Sequence, residues 1–115
     1  MINSLLLSLV LPHQNHLDVE EEINEMRLLT NTIGYHIEHV EIQHKKSIDP
    51  ATYFGKGKIT EVSNKIKTLN IDIIFVNDEL KPNHYKNIKN ILGEKIEIID
   101  RTVLILNIFT QNAKT

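Results

Sequence analysis

Cysteine and tryptophan are absent from this chain of 115 residues, and glycine and proline occur only four and three times. Without cysteine there is no disulfide framework, no thiolate metal site and no thiol nucleophile, and a reducing compartment, the cytoplasm, is the simplest setting. Long hydrophobic runs are also missing. The opening segment Met1 to Leu11 is far short of the ~20 apolar residues of a membrane span. It has neither the basic start nor the small-residue cleavage site of a signal peptide, so it reads as a buried strand. Alanine appears twice while isoleucine and asparagine abound, a pattern of nucleotide bias rather than of function.

What remains is an ordinary globular mixture, with 41% hydrophobic and 24% charged residues. That excludes the low-hydrophobicity, high-charge class of disordered chains, and the length suits one domain, taken as residues 1–115. The net charge of −2 is unevenly distributed. Asp18, Glu20, Glu21, Glu22 and Glu25 crowd one segment. Lys45, Lys46, Lys56, Lys58, Lys65 and Lys67 crowd another, with Asp49 and Glu61 against them. Such a lysine-rich stretch is either a solvated surface or a local attractor of polyanions.

The apolar pattern alternates between strands and helices. After the first strand, Pro12 and His13 to His16 form a turn, and Asp18 with Glu21 has capping-box spacing. Val19, Ile23, Met26, Leu29 and Ile33 give a helical stripe, closed by Gly34 in a left-handed cap. Ile37, Val40 and Ile42 mark a second, less apolar strand, placed near a sheet edge. Ile59, Val62, Ile66 and Leu69 mark a second helix closed by Asn70. Ile71 to Val76 reads as a central parallel strand. Pro82 starts a third helix with inner face Tyr85, Ile88 and Leu92 and stop Gly93. Ile96 to Ile99 is a fourth strand, and Val103 to Phe109 a fourth helix capped by Asp100 or Thr102. The order β-α-β-α-β-α-β-α predicts an α/β fold, a four-stranded and mainly parallel sheet with helices on both faces. Ligands of such sheets gather at the carboxyl ends of the strands. Three segments fall at that edge: Asp49 to Lys58, Asn77 to Leu80, and Asp100 to Thr102.

Within the first segment, Gly55-Lys56-Gly57-Lys58 feeds a helix N-terminus, where free N–H groups favour anions and glycine lets a ligand approach. The spacing is not that of a nucleotide-hydrolase phosphate loop, because Ile59 and Thr60 follow Lys58 where Ser or Thr is required. Thr52, Tyr53 and Phe54 precede it. The aromatic pair among lysines suits stacking on exposed nucleotides, with one of the two rings expected to plug the core instead. Asp78 and Glu79 are solvated carboxylates, partners of a cation such as Arg101, or an acid-base pair. His36 and His39 are three positions apart on a strand and so are expected on opposite faces, and His13 and His16 have no third ligand, so no metal site is assigned. No catalytic residues are assigned, and nothing resembles a nucleophile elbow.

Taken together, Asp49-Pro50-Ala51-Thr52-Tyr53-Phe54-Gly55-Lys56-Gly57-Lys58, Asn77-Asp78-Glu79-Leu80 and Ile99-Asp100-Arg101-Thr102, with Leu104-Ile105-Leu106 and Ile108-Phe109, resemble the amino-terminal domain of the HflX GTPase family. The resemblance covers essentially the whole chain. It implies a module that binds the large ribosomal subunit and its ribosomal RNA and helps split or rescue stalled ribosomes. In that family a helical linker and a GTPase domain follow, and the sequence stops before either. GTP and Mg2+ are therefore expected only in the absent GTPase domain, with no cofactor and no hydrolysis in this chain. The resemblance makes Thr52, Tyr53, Phe54, Gly55, Lys56, Gly57, Lys58, Asn77, Asp78, Glu79, Arg101 and Thr102 the candidate RNA- or nucleotide-binding residues, with Arg101 orienting Asp78 or Asp100. Lys81 stands where the family usually has a serine or threonine cap, and Asn107 and Asn112 where it has aspartate and arginine. A nucleotide-binding domain using the 55–58 loop and an inactive gene fragment are the rival readings. The apolar surface of the last helix is expected to promote self-association.

Overall fold

The computed structural model describes the backbone of residues 1–113 and the side chains of residues 1–110. Strands and helices alternate as β1 (Ile2–Val10), α1 (His16–Thr32), β2 (Tyr35–His44), α2 (Lys56–Leu69), β3 (Ile73–Val76), α3 (Pro82–Leu92), β4 (Glu97–Asp100) and α4 (Arg101–Ala113). All strand pairings are parallel, in the order β2-β1-β3-β4. The expected α/β architecture is therefore present, with β2 at an edge. The chain moves outward from β1 to β2 and then returns past β1 to β3, so the strand order reverses between β1 and β3.

The uninterrupted apolar run of β1 follows from burial of both its faces. Leu5, Leu7 and Leu9 pack with Ile59, Val62 and Ile66 of α2 and with Ile88 and Leu92 of α3. Leu6 packs on the other face with Met26 of α1, Phe75 and Leu104 of α4. Ser4 and Ser8 share that second face and are buried, and Ser4 satisfies its hydroxyl on the His36 carbonyl at 2.8 Å. A buried hydroxyl without such a partner would be costly.

The helix boundaries sharpen the sequence reading. α1 starts two residues before the Asp18–Glu21 box, because the Asn15 side chain accepts the Leu17 N–H at 2.8 Å and so caps the helix. Its end is as expected: Gly34 adopts φ +91 and its N–H reaches the Asn31 carbonyl at 3.1 Å. At α3 the Lys81 side chain provides no cap, and His84 Nδ1 accepts the Lys81 N–H at 3.1 Å, which replaces part of what a serine would supply. Asp100 caps α4 by accepting the Val103 N–H at 2.8 Å. β2 carries one irregularity. Its register with β1 shifts between Ser4 and Leu5, so that His36 and His39 stand opposite Asn3 and Leu5. Those β1 residues are two apart and face one way, which overturns the expectation that the two histidines lie on opposite faces.

α2 ends at Asn70, which sits in the left-handed region at φ 56 and ψ 48. Asparagine tolerates that conformation and alanine does not. Asn70→Ala is expected to lower the unfolding free energy by about 1 kcal/mol and Asn70→Gly to leave it within a few tenths, as read from urea unfolding midpoints.

Candidate nucleic-acid interface at the carboxyl edge

Strand direction alone brings the three motif segments to one edge, and the contacts join them. The first is a closed knot rather than an open loop. Asp49 and Tyr53 exchange both backbone hydrogen bonds, at 2.9 and 2.8 Å. The Asp49 carboxylate accepts the N–H groups of Ala51 and Thr52, at 2.8 and 3.2 Å, and these bonds hold its pKa below the ordinary value. Tyr53 is thereby fixed at φ 63, an unusual conformation for an aromatic residue. Neighbouring elements tether the knot. Asn83 and Asn87 of α3 donate to the Pro50 and Ala51 carbonyls, at 3.0 and 2.8 Å, and Gln43 of β2 accepts the Gly55 N–H at 2.9 Å.

This packing sorts the candidate residues. Phe54 is completely buried and is the ring that fills the core, so base stacking by Phe54 is ruled out. Thr52 is also buried, its hydroxyl donating to the Phe54 carbonyl, so it is structural. Tyr53 is half-buried. Its ring meets Phe54 and His84 edge-on at 5.1 and 5.5 Å, and its phenol lies against the Asp78 carboxyl. Burial first, and then that carboxylate, push the phenol pKa up. Gly55 is the N-cap of α2, so Lys56, Gly57 and Lys58 belong to the first helical turn and not to the loop. Gly57 has nothing within 4 Å of where a Cβ would lie, and its backbone does not require glycine.

The lysines separate. Lys56 is exposed. Lys58 is held by two carboxylates, Glu61 at 2.7 Å and Glu41 at 3.1 Å, and its pKa is raised by them. Glu41 is the residue that the sequence reading missed. Its side chain, 8% exposed, also receives Lys65 at 2.9 Å and His39 at 2.6 Å. Burial opposes its charge, but the hydrogen bonds from Lys65, His39 and Lys58 outweigh it and hold the pKa at about 2. The signal was there: Lys58 and Lys65 are seven apart, on one face of α2, and that face lies over β2.

At the β3 and β4 ends, Arg101 does not orient Asp78 or Asp100 through its side chain. Its guanidinium donates to Asn77 Oδ1 at 3.0 Å and to Glu25 of α1 at 2.7 Å. Asn77 is buried and reaches Ser8, while Asp100 accepts the Leu80 N–H at 2.8 Å. Exposed Thr102 donates to Glu79. Asp78 has its pKa raised by burial, against the opposing effects of Tyr53 and Arg101, and Glu22 is raised by burial and by Asp78 nearby. The carboxyl edge thus has two characters. Around Arg101 it is acidic, with Glu22, Glu25, Asp78 and Glu79. Beyond β2 it carries Lys45 and Lys46, with Asp49 near Lys45, and Lys56 at the start of α2.

On α4, Val103, Ile105, Leu106 and Phe109 are exposed while Leu104 is buried. Asn107 is exposed on the same helix, and the side chain of Asn112 lies outside the described residues. Among the described residues no three potential metal ligands cluster, and no helix is long and apolar enough to cross a membrane.

The family model for the GTP-binding GTPase N-terminal region matches residues 20–110. The chain is 40% identical over 96 residues to the GTPase HflX of Caldanaerobacter subterraneus subsp. tengcongensis, covering 84% of this chain and 22% of that protein. It is 35% identical over 112 residues to the GTPase HflX of Flavobacterium psychrophilum, covering 97% and 27%. A GTP-binding protein of Sulfolobus solfataricus, solved in complex with GDP, superposes with a TM-score of 0.69 at 24% identity, over 96% of this chain and 30% of that one, which shows the shared fold. The chain spans about a quarter of the length of the curated relatives it matches, in their amino-terminal region. It therefore belongs to the GTP-binding GTPase N-terminal family, the family of the amino-terminal region of the GTPase HflX.

Proposed function

We propose that this chain is a non-enzymatic module that contacts RNA of the large ribosomal subunit, in a protein that splits or rescues stalled ribosomes, and that it acts in the cytoplasm. The observation that carries the reading is the basic end of β2. There Lys45 and Lys46 follow the strand, and Lys56 opens α2 next to Gly55, whose N–H is held by Gln43 of the same strand, while Lys58 is neutralised by Glu41 and Glu61. Phosphates attract such clusters without reading sequence. Tyr53 is half-buried and its ring is already engaged by Phe54 and His84, so charge rather than stacking leads. The acidic surround of Arg101 repels phosphate, which confines the contact to the β2 side and removes Asp78, Glu79 and Thr102 from it. Hydrolysis of GTP belongs, in this reading, to a GTPase domain beyond the matched region, together with its Mg2+.

The rival reading, a nucleotide site on residues 55–58, is disfavoured by Lys58, whose ammonium is already held by two carboxylates. The expected result is co-sedimentation of the chain with large but not small ribosomal subunits at low salt. Changing Lys45, Lys46 and Lys56 together to alanine should weaken it at least roughly tenfold at low salt, while Lys58→Ala changes it less than twofold per folded molecule. Subunit binding by the triple variant as tight as that of the parent chain would refute the proposal.

A further inference from the structure

Two adjoining cavities open at the carboxyl ends of β1 and β2, apart from the motif segments. The first has a volume of about 240 Å3 and apolar walls from Leu11, Pro12, Val19, Ile23 and Ile42, with His16, Glu20 and His44 around it. The second, about 270 Å3, shares Val10, Leu11, Pro12 and His44 with the first and adds Lys45 and Lys46. Their walls are set before any ligand arrives. The Leu11–Gln14 turn is closed twice, by the Gln14 N–H on the Leu11 carbonyl at 3.0 Å and by the Leu11 N–H on Gln14 Oε1 at 2.7 Å. The Lys45 N–H is fixed on the Val10 carbonyl at 3.1 Å.

We infer that this double cleft holds one unstacked nucleotide unit, its base in the apolar lobe and its phosphate in the basic lobe. The inference rests on the RNA-contacting reading and deepens it. The first lobe lies below the ~300–1,000 Å3 of drug-sized sites and suits one ring system between aliphatic walls. Ile42, 38% exposed on an edge strand, offers a flat apolar surface with no other role in the core. Glu20 excludes phosphate from this lobe and accepts a hydrogen bond from a base amino group, which favours adenine, cytosine and guanine over uracil. The second lobe has Lys45 and Lys46 and no carboxylate in its lining, so the phosphate settles there. Single-strand recognition commonly sets an unstacked base on a flat side chain beside basic residues, most often an aromatic ring, and here the aliphatic walls take the place of that ring.

The test is a titration of the isotope-labelled chain, followed by amide resonances, with a single-stranded hexaribonucleotide of adenine and cytosine, and separately with AMP and with ribose 5-phosphate. The expected result is movement of the Leu11, Gln14, His44 and Lys45 amides with the hexamer, and with AMP at higher concentration. AMP acting alone extends the site to free nucleotides and supports the inference. Ile42→Glu should weaken the hexamer roughly tenfold, with its spectrum reporting that the variant is folded. Ribose 5-phosphate acting as strongly as AMP would overturn the inference, because the base lobe would then be idle. If the hexamer moves only the Lys56 region, or if the chain binds large subunits while these amides stay still, the cleft assignment falls and the proposed function stands. Absence of both RNA and subunit binding removes both.

Discussion

Replacing Phe54 with alanine should lower the unfolding free energy by about 3–5 kcal/mol, the range for large aromatic residues deleted from a packed core. Phe54 is fully buried among Leu5, Leu7, Ile59 and Val62 and supports the ring of Tyr53 at 5.1 Å. Its loss leaves a cavity beneath the knot that Asp49 and Tyr53 close. Folded proteins of this size are stable by roughly 5–15 kcal/mol, so such a change consumes a large fraction of the whole. Urea unfolding by far-UV circular dichroism measures it, and Phe54→Leu should show less than half the loss. RNA binding per folded molecule should be unchanged. If Phe54 stacked on a base, binding would fall while stability held.

The second large effect is expected at Glu41. Glu41→Gln leaves the ammonium groups of Lys58 and Lys65 converging on a neutral amide beneath α2. Breaking a fully buried charge network costs ~3–5 kcal/mol. Because Lys65 is 41% exposed, water compensates part of the loss, and about 2–3 kcal/mol is expected here. The pH dependence carries the signature. The folded carboxyl is held at about 2, below its ordinary value of about 4.5, so its contribution is complete above pH 4.5 and disappears as pH falls toward 2. The stability difference between the parent chain and Glu41→Gln should therefore be largest at pH 6–7 and shrink between pH 4.5 and 3. A difference that stayed constant across that interval would mean that shape, and not charge, explains the effect.

Most of the fold was legible because its elements carry strong local signals. The stripe from Val19 to Ile33, the left-handed Asn70 and Gly34, and Pro82 at a helix start each correspond to one backbone requirement. The two-faced burial of β1 was visible as a run without alternation. Boundaries moved where a side chain two or more residues away decided them, as when Asn15 rather than Asp18 capped α1. The site was less legible because its character depends on pairings across the sheet. The spacing of Lys58 and Lys65 marks one face of α2, but it does not say which residue that face will meet, and the answer, Glu41, lies 17 residues before Lys58. Likewise Arg101 meets Glu25 across 76 residues, which takes up the positive charge that the motif offered. The bulge in β2 is equally silent in the sequence, and it reversed the placement of His36 and His39. The family motifs fall together at the carboxyl edge of the sheet, but several of their residues, Thr52, Phe54 and Asn77 among them, are buried and build the scaffold.

The central claim is that Lys45, Lys46 and Lys56 contact RNA phosphates. The salt dependence of binding to purified large subunits tests it most directly, because each phosphate contact contributes about 0.7–0.9 to the slope of log K against log salt. The triple alanine variant should bind more weakly at low salt and with a slope smaller by about 2–3 than that of the parent chain. Equal slopes for the two proteins, across the same salt range, would contradict the account.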